Sequence, residues 1–395
     1  MIAGLLASIA LAVWLYLLLA RGSFWRCRER DDSRPAELPR WPSVTAVVPA
    51  RDEASTIGAC IGALLKQDYP GAWSVILVDD DSTDGTSDAA RSAASACDSD
   101  GRLRLLTSRA LPNGWTGKLW ALKQGTDAAV SEGKPPGASG GGPGPDYLLL
   151  TDADIVHAPD SLRRLVARAE CAHLVLSSLM VKLRCESFSE RATIPAFVFF
   201  FQMLYPFAWV NRPQSSVAAA AGGCMLVRTD ALRRAGGIEA IRGALIDDCA
   251  LAKLLKAQGP IWLGLTERVR SLRAYPALAD IRRMVVRSAY AQLGYSPLLL
   301  LATTAGMALT YLAPPLLTVF GGGIGRVIGL ASWVLMTLAF LPTLRLYRLS
   351  PAWAVALPAI ALLYLLFTFD SAYQHARGRG GSWKGRAQAY LGGRA

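Results

Sequence analysis

Four stretches of this chain carry no charged side chain at all: Met1–Ala20, Ser288–Gly325, Val327–Leu344 and Leu349–Phe369. About 20 apolar residues are what an α-helix needs to cross the hydrocarbon of a bilayer, so such runs point to membrane helices. Because they sit at the two ends, any water-soluble domain is confined to the middle. The first run has no basic region before it and no small-residue cleavage site after it, so it reads as an anchor and not as a secretory signal. Arg21, Arg26, Arg28 and Arg30 follow it directly. By the positive-inside rule they put the next segment in the cytosol and the N-terminus outside.

The expected organisation is therefore an anchor over 1–20, a basic juxtamembrane linker over 21–43, a cytosolic domain over 44–290, a transmembrane region over 296–370 and a basic tail over 371–395. Such a protein is multi-pass and belongs to the inner (cytoplasmic) membrane. Its C-terminal parity stays open. Three apolar runs would carry the tail outside, whereas Arg377, Arg379, Lys384 and Arg386 argue for inside, and a run broken at Pro314–Pro315 or at Pro351 and Pro358 could be re-entrant.

The net charge of +12 invites a nucleic-acid reading. Many of the arginines flank apolar runs, where anionic headgroups account for them, and no nucleic-acid partner is expected. All seven cysteines fall between Cys27 and Cys249 with no CxxC pair, which fits reduced, structural thiols in the cytosol. Three histidines, His157, His173 and His375, are too few and too scattered for a zinc site or a triad.

Between the ends, strand and helix patterns alternate, which favours a mixed, mostly parallel sheet with helices on both faces. Val44–Val48 reads as a strand and 55–67 as a helix. Ser74–Val78 is the next strand and Thr86–Ala96 its helix. Leu103–Thr107 is a third strand and Leu119–Val130 a third helix. A glycine- and proline-rich insertion over 131–146 follows, whose composition cannot pack. Ile194–Val210 is apolar and aromatic, but a crossing there would separate the acidic residues on either side of it. It is expected to be an interfacial or re-entrant helix with Phe199 and Phe200 at the membrane surface, with a buried core helix as the alternative.

The chemistry is carried by carboxylates at strand ends, where open α/β sheets bind their ligands. Asp79, Asp80, Asp81 and Asp84 crowd one turn. An ordinary polar turn with Asp84 as helix N-cap would explain them equally well. Tyr147–Thr151 is a second apolar strand, closed by Asp152-Ala153-Asp154. In an extended chain the i, i+2 spacing puts both carboxylates on one face, where they can hold Mg2+ or Mn2+ through hard oxygens. Such a cation would bridge a diphosphate and stabilise it as it leaves. Asp247 and Asp248 open a helix running to about Gln258. They either cap its positive end or supply a general base.

This series resembles the family 2 glycosyltransferases of the GT-A fold. The resemblance implies that Pro49, Ala50, Arg51, Asp52 and Glu53 form the first nucleotide-contacting loop. It implies that Asp80 recognises the base and that Asp152 and Asp154 are the metal-binding DxD, with Asp152 also on the donor side. Asp248 then corresponds to the catalytic base, with Asp247 beside it, and Gly222, Gly223, Cys224 and Met225 to the segment lining the acceptor pocket. Gly114-Trp115-Thr116-Gly117-Lys118-Leu119-Trp120-Ala121, together with Trp383-Lys384-Gly385-Arg386, is similar to the hopanoid-associated glycosyltransferases and to carotenoid glycosyltransferases. It implies a lipid, hopanoid-like acceptor and a nucleotide-sugar donor whose phosphates Lys118 touches. The QxxRW motif of processive synthases is absent, which favours single transfer. Arg283 and Arg287, one helical turn apart, are left as a possible phosphate clamp or as headgroup contacts. A nucleotidyltransferase, which would open with a glycine-rich basic loop, and a non-catalytic scaffold are the alternatives from other classes.

Overall fold

The computed structural model describes residues 2–32, 36–97, 101–135, 137–138, 144–379, 382–383 and 386–387. Lys384, Gly385 and part of the 131–146 insertion lie outside the described residues. In chain order the main elements are α1 (Ile2–Leu19), β1 (Val44–Ala50), α2 (Ala54–Leu65), β2 (Trp73–Asp79), α3 (Thr86–Ser95), β3 (Leu103–Thr107), α4 (Gly117–Ser131) and β4 (Tyr147–Thr151). They continue with β5 (Ile155–His157), α5 (Ser161–Cys171), β6 (Leu176–Lys182), α6 (Phe188–Leu204), α7 (Phe207–Val210), β7 (Cys224–Arg228), α8 (Thr229–Arg234), α9 (Asp247–Lys256) and β8 (Ile261–Ser271). The chain ends in α10 (Leu278–Val286), α11 (Ala289–Gln292), α12 (Pro297–Met307), α13 (Ala313–Phe320), α14 (Gly323–Leu346) and α15 (Leu357–Ala376).

Two compact units result. One joins Glu29–Arg184 and Val210–Arg273, and the other joins Met1–Arg28, Cys185–Trp209 and Ala274–Ser382. The first is α/β. Its eight strands run in the order β3-β2-β1-β4-β7-β6-β8-β5. β1 pairs in parallel with both β2 and β4, and β2 with β3, whereas β7 is antiparallel to β4 and β6, and β5 antiparallel to β8. With β6 also parallel to β8, the sheet is mixed and mostly parallel.

Pleating sorts β1 onto two faces. Ala46, Val48 and Ala50 join Ile57, Ile61 and Leu64 of α2 and Leu162, Leu165 and Val166 of α5 in one buried cluster. Val47 points the other way, toward α4. There Gly125 is pressed so close that a Cβ on it would lie 2.4 Å from Val47 Cγ1. The chain moves from β1 to β2 on one side and later returns to β4 on the other. That is a topological switch point, and the ends of β1, β2 and β4 open a crevice where ligands bind in such sheets.

The second unit is helical. Phe188–Val210, Pro297–Phe320, Gly323–Leu346 and Pro351–Ala376 are each long and apolar enough to cross a membrane. Large side chains such as Leu298, Leu301, Phe320, Ile324 and Val327 remain exposed on these helices, as lipid-facing residues would. α6 starts with a reciprocal cap, Ser187 Oγ accepting the Glu190 N–H at 3.1 Å and Glu190 Oε2 accepting the Ser187 N–H at 2.8 Å. Phe199, expected at a membrane surface, is instead fully enclosed. Its ring lies 5.3 Å from those of both Phe24 and Phe340. The reason is local: within this unit Phe200 also meets Tyr311 and Tyr364 edge to face, so the aromatic run of α6 is shared among neighbouring helices.

Candidate active site

The loops after β1 and β2 are tied to each other. The Asp52 N–H donates to Ser82 Oγ at 3.0 Å, the Thr83 N–H to Asp52 Oδ1 at 2.9 Å, and the Glu53 N–H to Thr86 Oγ1 at 2.8 Å. Asp52 and Asp81 both sit in the left-handed region, with φ of 49° and 60°. Aspartate tolerates that region because its short side chain bonds locally. Asp84 is not the N-cap residue of α3, although its Oδ1 accepts the first N–H of that helix, from Thr86, at 3.1 Å. The residue at that position is Gly85, with φ 90°, while Asp84 Oδ2 takes the Ala54 N–H at the start of α2 at 2.9 Å. The acidic turn is therefore largely a device for fixing two loops.

Pro49 and Ala50 end β1, in register with Val78 and Asp79, and the Ala50 carbonyl accepts the Asp80 N–H at 2.8 Å. Asp80 is almost fully buried. The Arg51 guanidinium donates to its carbonyl and lies 3.6 Å from its Oδ2.

Beyond β4 the chain does not stay extended. Ile155 N–H bonds back to the Asp152 carbonyl at 3.2 Å, closing a turn through Ala153 and Asp154. The pleat that would have aligned the two carboxylates is lost, and each meets its own cation. Asp152 Oδ1 is 2.9 Å from Lys118 Nζ, while Asp154 Oδ2 accepts Ser271 Oγ and Arg273 Nε, both at 3.0 Å. Arg273 also holds Glu53. Lys118 continues to Asp247 Oδ2 at 3.1 Å. Burial works against the Lys118 charge, but Asp152 and Asp247 more than reverse this and hold its pKa above the ordinary lysine value.

Asp248 stands beside this network in the first turn of α9. Its Oδ2 accepts the Gly222 N–H at 2.9 Å and its Oδ1 the Cys249 N–H at 2.7 Å. Burial, reinforced by the neighbouring Asp247 charge, pushes its pKa up to about 6. Gly222 leaves the space between the two groups open, since a Cβ there would lie 3.3 Å from Lys118 Nζ and 3.4 Å from Asp248 Oδ2.

The rest of the expected acceptor segment lies elsewhere. Cys224 and Met225 are buried in β7, paired with Thr151 and Leu150, and Gly223 faces Val181, so only the Gly222 backbone reaches the acidic cluster. Arg283 and Arg287 belong to the helical unit. Arg283 is exposed on α10 and holds Asp280 of its own helix, and Arg287 ends that helix. Sequence reasoning missed Ser271 and Arg273. The only signal was a cluster of arginines, Arg268, Arg270 and Arg273, at and just beyond the end of β8.

Among the described residues no group of three or more His, Cys, Asp or Glu side chains is arranged to hold a metal. Asp152 and Asp154 nevertheless offer hard carboxylate oxygens at the crevice. Mg2+-type sites commonly use only one or two carboxylates, with substrate phosphates and water completing the shell. The donor set fits such a cation.

The model of glycosyl transferase family 2 matches residues 45–236, and that of glycosyl transferase family 21 matches residues 145–389, more than half of the chain. The chain belongs to glycosyl transferase family 21. The fold of this glycosyltransferase is similar to that of the mannosyltransferase PcManGT from Pyrobaculum calidifontis, solved with GDP-Man and Mn2+. Identity is 19%, coverage is 95% of this chain and 99% of that one, and the TM-score is 0.53. Glucosyl-3-phosphoglycerate synthase from Mycobacterium tuberculosis, solved with Mg2+ and UDP, matches at 18% identity over 64% of this chain and 80% of that one, with a TM-score of 0.37. S. aureus TarS 1-349, solved with UDP, matches at 15% identity over 85% and 92%, with a TM-score of 0.36. No curated protein matches the glycosyltransferase by sequence.

Proposed function

We propose that this glycosyltransferase moves a single hexosyl unit from a nucleotide diphosphate sugar, by default a UDP-hexose, to a hydroxyl of a membrane lipid, with inversion at the anomeric carbon. The observation that carries this reading is Asp248. It is a carboxylate fixed by two backbone N–H groups, raised toward neutrality, and separated from Lys118 only by the bare backbone of Gly222. A base with a pKa near 6 is ionised at cytosolic pH yet basic enough to take the proton of an acceptor hydroxyl. One base and no second carboxylate assigned as nucleophile imply direct displacement, so an α-linked donor gives a β-glycoside.

Arg51, Glu53 and Asp80 line the donor nucleotide, with Pro49 and Ala50 supplying the strand end behind them. Lys118 and Asp152 face the diphosphate. Asp152 and Asp154 would hold Mg2+ or Mn2+, which when bound supplies charge stabilisation to the departing nucleotide diphosphate. Asp247 orients Lys118 and its neighbour Asp248. Arg283 and Arg287 are kept as a phosphate clamp or headgroup contact.

A lipid acceptor is supported by four helices of membrane-crossing length in the same chain. The hopanoid class rests on the resemblance of 114–121, with a carotenoid or other glycolipid acceptor as the alternative within the same chemistry. The arginines after α1 support an inner-membrane protein with a cytosolic catalytic unit. Detergent-purified enzyme incubated with a panel of nucleotide sugars and a hopanoid alcohol tests the reading. A β-linked glycolipid from one α-linked donor is expected. An α-linked product would overturn the mechanism, and a product only with water-soluble acceptors would overturn the lipid assignment.

A further inference from the structure

The acidic centre holds five carboxylates, Glu53, Asp152, Asp154, Asp247 and Asp248, and two cationic side chains are threaded among them. Each cation bridges a pair that comes from different loops. Lys118 joins Asp152 to Asp247, at 2.9 and 3.1 Å, and Arg273 joins Asp154 to Glu53, with Nε 3.0 Å from Asp154 Oδ2. Ser271 Oγ donates to the same Asp154 oxygen. Both carboxylates of the DxD turn are therefore already charge-neutralised by the protein itself. Asp154 and Glu53 are largely buried, with side-chain exposures of 8% and 10%, while Arg273 is 36% exposed, so their bonds to it are only partly screened by water.

Building on the reading of Asp152 and Asp154 as the cation site, we propose that Arg273 and Lys118 are built-in counterions that make uptake of a divalent cation conditional on the donor diphosphate. A bare dication approaching Asp154 must first displace Arg273, which strands a guanidinium in a partly desolvated place. A diphosphate arriving with the cation changes the exchange. Its oxygens accept the hydrogen bonds that Arg273 and Lys118 release, because guanidinium and ammonium groups pair with phosphate as readily as with carboxylate. Cation and nucleotide then favour each other's binding, and by linkage the coupling is the same seen from either ligand. In the resting enzyme the counterions keep the acidic cluster from repelling itself apart.

The test is binding, not turnover. Full-length enzyme in detergent is titrated with Mn2+ alone, and with Mn2+ in the presence of saturating UDP or GDP, with free Mn2+ followed by electron paramagnetic resonance. Wild type should bind Mn2+ alone weakly and at least about tenfold more tightly with the nucleoside diphosphate that fits, the usual scale of such coupling. Arg273→Gln, which keeps a donor to Asp154 without the charge, should tighten Mn2+ alone by about tenfold and shrink the coupling to a few-fold. Arg273→Met should act in the same direction, and Arg273→Lys should behave as wild type. Asp154→Asn should abolish the signal in every background. Equal Mn2+ affinity and equal coupling in wild type and Arg273→Gln would overturn the counterion role while leaving the metal site standing. Mn2+ binding to none of the proteins, with or without nucleotide, would overturn the metal site and the counterion role together.

Discussion

Replacing Asp248 by asparagine removes the one group whose raised pKa and backbone anchoring single it out as the base, and its consequences for rate and stability can be separated. The pKa rises from 3.8 to about 6, driven first by burial and then by Asp247. At about 1.4 kcal/mol per unit, the ionised carboxylate therefore costs the folded protein about 3 kcal/mol. The folded state binds this proton more tightly than the unfolded chain does. The stability contributed by the protonated form is fully present below about pH 4 and is lost as pH rises through about 6.

Asparagine cannot titrate, so the difference in stability between wild type and Asp248→Asn should shift by about 2.5 kcal/mol in the variant's favour between pH 4 and pH 7. At neutral pH the gain is offset, because Oδ1 and Oδ2 each accept a backbone N–H and an amide can satisfy only one of them, which costs about 1–3 kcal/mol. The net change at pH 7 is thus small, and a loss of activity there is not a loss of fold. Transfer should fall by about 100-fold or more with donor binding intact. In wild type, kcat/KM should rise with pH to a plateau above about 6. Melting in detergent across pH, calorimetry with donor and single-turnover transfer measure the three quantities. Near-normal transfer by the variant, or a wild-type profile flat from pH 5 to 8, would refute Asp248 as the base.

Asp154→Asn and Asp152→Asn should each abolish transfer while the protein stays folded in detergent, and excess EDTA should mimic them; full activity in EDTA would leave Lys118 and Arg273 as the only charge partners of the leaving group. Gly222→Ala should fold normally but lose about tenfold in kcat/KM, because its methyl would crowd Lys118 and Asp248 by a few tenths of an ångström. Asp247→Asn should cost less than Asp248→Asn, since its carboxylate meets Lys118 while the base keeps both backbone donors; transfer assays on the pair rank them. Phe199→Ala should destabilise the helical unit by about 3–5 kcal/mol, seen as a lower melting temperature, with the protein still in the membrane fraction.

The strands that carry the site were legible because their burial is periodic and their ends are punctuated. Leu103–Thr107 and Tyr147–Thr151 fall where the apolar runs put them, and β1 and β2 extend only one or two residues beyond the expected ends. What pattern could not carry was the geometry of turns. The DxD spacing implies one shared face only if the backbone stays extended, and the hydrogen bond from Ile155 back to Asp152 removes that condition. In the same way, the glycine-rich segment after Ala221 looks like a continuous pocket wall in sequence, but pairing with β4 begins at Cys224 and turns its side chains into the core.

Asp84 illustrates a third limit. A capping residue is recognisable by type, yet besides accepting the Thr86 N–H at the start of α3, Asp84 also accepts the Ala54 N–H of α2, thirty residues upstream. Arg273 is the strongest case. Nothing local distinguishes it from the other arginines around β8, and its meaning comes from two carboxylates, Glu53 and Asp154, that lie 220 and 119 residues away along the chain. Residue type announced the acids of this site because several occur together at strand ends. Their counterions arrive singly from distant loops, so only the folded chain reveals which acid each one holds. A search for function in such sequences does better to ask which lone cations could reach the acidic cluster than to lengthen the list of acids.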